Sequence, residues 1–249
     1  MAPLPRKGEP LAFLDIPAFV AEELELRGLV LPVDLVRGKS ATDLERFRDE
    51  ADRAHCPCLS LVHDSGLDFG ADAEGATKIL TGLMRAAKLL GCGEVAVRLS
   101  GASASTDVAV APVRAVLQSA HAQDMNLLLR PTLDPLLDPA VLIERVKQIG
   151  GFHIGAMPTF AHAAATDDGI GTLRKLAPYA GVIEATVAGF AKDGQHSAWD
   201  LTAYVEALVS YGYTNKLAIA WDGKTNWVTG VERERERFMQ LLGREESVG

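Results

Sequence analysis

Positive charge is in short supply in this sequence: 25 lysines and arginines face 33 aspartates and glutamates, giving a net charge of −8. A surface that grips nucleic acid or an anionic membrane needs an excess of basic residues, so neither partner is expected, although a local basic pocket is compatible with the balance. Cysteine is equally scarce. Cys56, Cys58 and Cys92 are too few for a disulfide framework, and no second Cys or His pair follows them at zinc-site spacing, so they are expected to be buried thiols. Long apolar runs are missing too. Leu11–Val20 is interrupted by Asp15 and Pro17, which argues against a signal peptide or membrane helix and makes the cytoplasm the expected compartment. There is no G-x-S-x-G elbow, no P-loop and no H-E-x-x-H. The pair Gly169-Ile-Gly171 lacks a preceding strand and a third glycine, and Lys192 and Lys224 fall in polar loops and not at strand ends.

What is present is a rhythm. Short runs rich in Val, Ile and Leu recur at Leu11–Leu14, Gly28–Leu31, Cys56–Val62, Glu94–Leu99, Asn126–Arg130, Phe152–Met157, Val182–Val187 and Leu217–Trp221. Several are apolar on successive residues, as in parallel strands covered on both faces. Between them lie stretches with helical spacing. Ser40 and Asp43 open one whose apolar side is Leu44, Phe47 and Ala51. Ala73–Leu90 aligns Ile79, Leu83, Ala86, Ala87 and Leu90 before the helix-ending Gly91. Further helices are expected over Asp107–Gln123, Asp138–Ile149, Asp167–Leu176, Ser197–Val209 and Val231–Leu242. The run Glu232–Arg237 reads as a solvated face with Glu232–Arg235 and Glu234–Arg237 pairs. About eight strand–helix units without a linker predict an α/β fold, a single parallel-stranded (β/α)8 TIM barrel over residues 1–249, imperfect at its weak first unit, with flexible ends at 1–10 and 244–249.

In such a barrel the chemistry sits at the carboxy-terminal strand ends. The candidates there are His63 and Asp64, Arg98, Arg130, Thr159 and His162, Glu184 and Thr186, and Trp221 and Asp222. Each also has a purely structural reading. Arg130 precedes Pro131 and could turn out to pair with Asp134, or could pair with Glu184. Arg98 could pair with Glu94 or a neighbouring acid. His63 and His153 could be satisfied core histidines. Trp221 could pack the barrel top, and Asp222-Gly223 could be a turn.

Three segments carry a resemblance: GCGEVAVRLSG at 91–101, MPTFAH at 157–162 and LVSYGYTNKLAIAWDG at 208–223. With the order of elements, they resemble the xylose-isomerase-like TIM barrels, which include sugar-phosphate isomerases and epimerases. That resemblance implies a divalent metal held by two glutamates, an aspartate and a histidine, with a carboxylate moving the substrate proton. The sequence departs from this set at each position. Arg130 stands in place of the strand-five glutamate, Thr159 in place of the strand-six aspartate and Ala220 in place of the strand-eight glutamate, and Ile183–Val187 offers no histidine. A guanidinium repels a cation but binds carboxylate or phosphate well.

The resulting expectation is an isomerase/epimerase-like barrel without the metal. It would bind a small polar, anionic ligand such as a sugar phosphate or carboxylate through Arg98, Arg130, Thr159, His63, Trp221 and Asp222, with His162 and Glu184 as acid–base groups. Two alternatives stay open: a non-catalytic binding or scaffold subunit, or a metal-dependent isomerase holding Mn²⁺, Mg²⁺, Co²⁺ or Zn²⁺ through relocated ligands among His63, Asp64, His162, Glu184 and Asp222. A homo-oligomer is compatible with either. Endonuclease IV chemistry on the same fold demands a richer ligand set than six histidines and this acidic balance suggest.

Overall fold

Ser40 begins the helix Ala41–Arg53 by a reciprocal cap: its hydroxyl accepts the Asp43 N–H while the Asp43 carboxylate accepts the Ser40 N–H. Leu44, Phe47 and Ala51 form the buried side, as their spacing requires. Side-chain oxygens likewise cap the helices Ala73–Leu89 (Asp72), Gly169–Leu176 (Asp168) and Leu201–Tyr211 (Asp200). The computed structural model describes residues 5–6, 9–121, 124–133, 137–191, 196–223 and 226–243. Asp134, Lys192 and Lys224 fall outside the described residues.

Nine strands occur among the described residues: β1 (Pro5–Arg6), β2 (Glu9–Pro10), β3 (Leu29–Pro32), β4 (Cys58–Leu67), β5 (Glu94–Leu99), β6 (Asn126–Arg130), β7 (Ile154–Ala156), β8 (Val182–Val187) and β9 (Lys216–Trp221). The first two pair antiparallel. A five-stranded sheet follows in the order β3-β4-β5-β6-β7, and β8 pairs with β9 in a second sheet. The β3–β4, β4–β5 and β8–β9 ladders are parallel. Isolated parallel bridges Ala156↔Ala180 and Thr159↔Glu184 link the β7 region to β8.

The expected first strand is not one. Leu11–Leu14 runs into a 3-10 turn, Phe13–Asp15, and then the helix Ile16–Glu22. Pro17, near the helix start, supplies a preset φ where a missing N–H costs nothing. The Phe13 ring stacks on Phe47 at 4.4 Å, so the apolar residues are used in helix packing. Ile79 is also exposed, and Ala76, Leu80, Leu83, Met84 and Ala87 form the buried stripe of its helix. All three cysteines are buried and free.

The chain divides into two compact units, Met1–Leu129 with Lys147–Ile154, and Arg130–Val146 with Gly155–Gly249. The first buries Leu31, Phe47, Leu61, Leu80, Val95 and Val97. The second buries Phe160, Leu173, Ile183, Ala185, Val205 and Phe238 in one cluster.

Register decides which residues share a sheet face, because side chains alternate along a strand. In the first unit Ser60 lies opposite Glu94 and Val62 opposite Ala96, while His63 lies opposite Val97. Asp64 and Arg98 therefore project with Ser60 and Glu94, and His63 projects the other way. In the second unit Glu184 lies opposite Ala218 and Thr186 opposite Ala220. Ile183, Ala185, Leu217 and Ile219 project to the opposite face, where they pack with the helices.

The loops after β4 and β5 are closely set. Phe69 N–H donates to the Ser103 hydroxyl at 2.7 Å, and Asp68 accepts from the Gly70 and Ala71 N–H groups. Gly101 has φ +55°, and a Cβ there would lie 1.9 Å from an Asp68 oxygen. Gly101→Ala is expected to destabilise the protein by about 1–3 kcal/mol in chemical denaturation, from the forbidden backbone region together with the contact.

Candidate functional site

Arg130 ends β6 and is 3% exposed in its side chain; its Nη1 donates to Glu184 Oε2 at 2.9 Å. The same nitrogen lies 3.6 Å from Met157 Sδ. Glu184, on β8, is 15% exposed, so the carboxylate is the member of the pair that a ligand can reach. The Thr186 hydroxyl approaches its other oxygen at 3.5 Å. Ala218 and Ala220 project from β9 on this same face, in register with Glu184 and Thr186, and contribute only methyl groups to it. Glu184 is thus a partner that the fold brings to Arg130, while Asp134 lies outside the described residues.

Thr159 and His162 serve a neighbouring turn. The Thr159 hydroxyl accepts the His162 N–H at 3.0 Å and so caps the helix Phe160–Ala165. The His162 ring is fully buried, with Nε2 2.6 Å from the Leu137 carbonyl oxygen. A carbonyl only accepts, so Nε2 carries the proton and donates it. This bond clasps Leu137 to the helix and leaves the imidazole no exposed edge, contrary to the expectation of a catalytic histidine.

Trp221 also points away from the site. It follows Leu217 and Ile219 onto the helix side, where a Cβ on Gly230 would lie 2.3 Å from its ring. Phe190 stacks on it at 6.3 Å, and the Arg233 guanidinium covers Phe190 at 4.6 Å. Asp222 is exposed, and its N–H donates to the Val187 carbonyl at 2.8 Å, which extends the β8–β9 ladder by one bond.

In the first unit, Arg98 Nε donates to Asp64 Oδ1 at 3.1 Å. Glu94 accepts instead from the Ser60 hydroxyl, at 2.6 Å in a buried setting. His63, on the opposite face, is held below its usual pKa by burial first and by the Arg37 guanidinium second, which keeps its ring neutral near pH 7. Six of the eight expected site residues lie in the second unit, and Arg98 and His63 lie in the first.

The donors described at this site are a poor fit to a divalent cation. Among the described residues no three His, Cys, Asp or Glu side chains cluster so as to hold one. Beside Glu184 stands a buried guanidinium, which repels a cation across a short, poorly screened distance. Ala220 supplies no ligand atom, and the Thr159 oxygen is committed to its cap.

The sequence matches no protein-family model and no curated protein. Solved structures do match. A xylose isomerase domain protein from Planctomyces limnophilus superposes with a TM-score of 0.69 at 15% identity, covering 97% of this chain and 94% of that one. The fold is that of the xylose-isomerase-like TIM barrels. A D-psicose 3-epimerase from Clostridium cellulolyticum H10 gives 0.73 at 14% identity, covering 92% of each chain. An AP endonuclease of family 2 from Brucella melitensis gives 0.70 at 13% identity, over 89% of this chain and 92% of that one. These neighbours are named as an epimerase and an endonuclease, so the shared fold by itself assigns neither activity to this chain.

Sequence reasoning missed several contributors. Met157 lies inside the quoted MPTFAH segment, yet nothing in a lone methionine marks it as the neighbour of a guanidinium 27 residues away. The Leu137 carbonyl is a backbone group and leaves no signature. Phe190, His196 and Trp199 carry no motif either; His196 stacks on Trp199 at 4.3 Å and accepts the Ala188 N–H at 3.0 Å.

Proposed function

We propose that the strand ends of the second unit form a metal-independent site for a small hydroxylated molecule, with the Arg130–Glu184 pair in place of a metal centre. The observation that carries this reading is the order of burial within the pair: the guanidinium lies behind and the carboxylate in front. A ligand hydroxyl would donate to Glu184 and exchange a hydrogen bond with Thr186, while Ala218 and Ala220 leave room for a ring. Because the charge of Arg130 is already matched internally, a neutral polar ligand is favoured over the anion that the guanidinium by itself suggested. The epimerase neighbours support a sugar-like substrate by analogy of fold. Proton-transfer chemistry here would rest on Glu184, since His162 is committed to Leu137.

Metal-free protein equilibrated with Mn²⁺, Zn²⁺ or Mg²⁺ is expected to retain none in stoichiometric amount by elemental analysis. One ion per chain, lost in Glu184→Gln, would restore the metal-dependent alternative. A thermal-shift screen of sugars, sugar phosphates and carboxylates is expected to give stabilisation by neutral sugars that Glu184→Gln and Thr186→Val abolish. Stabilisation by anions alone would reinstate the anion reading, and no stabilisation by any of them would favour a scaffold role.

A further inference from the structure

The charge run Glu232–Arg237 is not a uniformly solvated face. Glu234 is fully buried, and neither carboxylate oxygen has a hydrogen-bond partner. It occupies the inward stripe of the helix Trp227–Leu241 with Gly230, Val231 and Phe238, where the spacing calls for an apolar residue. We propose that Glu234 is a proton-dependent latch: the helix docks with this carboxyl protonated, and loss of the proton loosens it. The inference does not depend on the ligand reading.

The surroundings offer little to a negative charge. The adjoining helix Leu201–Tyr211 presents buried Leu201, Val205 and Leu208, with Tyr204 as its titratable group and Glu206 exposed. From β9 come Leu217, Ile219 and Trp221 on the helix side, with Lys216 exposed at the strand start. On its own helix, Arg233 is spread over the Phe190 ring and Arg237 donates to the Thr202 hydroxyl at 2.9 Å. Glu232, Arg235 and Glu236 lie off the buried stripe. A carboxylate in this place would be desolvated and without a hydrogen bond, which is far less favourable than a neutral acid.

Burial pushes the Glu234 carboxyl up to about 7, with the Arg237 guanidinium pulling the other way. Below 4.5, the ordinary value, both docked and released helix carry the proton. Between 4.5 and about 7 only the docked form holds it, so docking weakens as pH rises and the loss is complete above that range. The consequence reaches the candidate site, because Gly230 of the same helix seats Trp221, the neighbour of Ala220.

Hydrogen exchange of the amides at 227–241, corrected for intrinsic rates, tests this. Between pH 5 and pH 8.5 the opening constant is expected to rise about fifty- to hundredfold in the natural protein and to stay flat in Glu234→Gln. A flat profile in the natural protein, or an equal rise in the variant, would overturn the latch. The Glu234 side-chain carboxyl ¹³C resonance gives a check that needs no variant: a midpoint near 7 is expected, and one below 5 would sink the proposal.

Discussion

Arg130→Ala is expected to lower the unfolding free energy by about 3–5 kcal/mol, the usual effect of stranding one partner of a buried ion pair. Glu184 would keep its desolvation penalty, being mostly covered, and lose the cation that offsets it. The complementary result makes the expectation specific. Replacing both partners, Arg130→Met with Glu184→Leu, should return stability to within about 1–2 kcal/mol of the natural protein, since well-packed apolar groups carry no such penalty. Urea unfolding of the two singles and the double gives the coupling directly. Additive losses would mean that the 2.9 Å contact contributes little. A double variant that is stable yet gives no sugar-induced shift would separate the architectural from the binding role of the pair.

Gly230→Val carries the second large effect, a loss of about 3 kcal/mol or more. The Cβ would fall 2.3 Å from Cζ3 of Trp221, a rigid ring bounded on another edge by Gly223. Overpacking of this kind typically costs about 1–3 kcal/mol, and a β-branched residue adds strain of its own in a helix. Gly230→Ala should cost less, because its better helix propensity returns about 1 kcal/mol. Trp221→Leu should relieve most of the penalty of Gly230→Val, giving a strong favourable coupling in the double-variant cycle. If Trp221→Leu instead left stability unchanged and abolished ligand-induced stabilisation, the indole would belong to the site after all.

Much of the fold is legible in the sequence. β5, β6 and β8 have the expected bounds, and β9 is one residue longer than expected. The Ser40 cap and the helix-ending Gly91, at φ +75°, sit where the spacing put them. These are local matters, fixed by periodicity and by residues whose backbone preferences act within one turn. Leu11–Leu14 failed because a four-residue apolar run is equally at home in a helix, and only the Phe13–Phe47 contact, 34 positions apart in sequence, decides between them.

The site divides along the same line. Residue order alone supplies the chemical inventory: an arginine ending β6, a glutamate within β8, alanine where a metal ligand was expected, and few histidines and cysteines. How that inventory is used depends on the folded chain. It paired Arg130 with Glu184 across 54 positions and Arg98 with Asp64 across 34, and set His63 on the sheet face away from Arg98 and Trp221 on the helix side of β9. It also buried the His162 ring against the Leu137 carbonyl and left the Glu234 carboxyl without a hydrogen-bond partner inside its helix packing. The reason is physical: composition and spacing act through the backbone nearby, whereas pairing, burial and sheet register depend on segments far apart in the chain meeting in space.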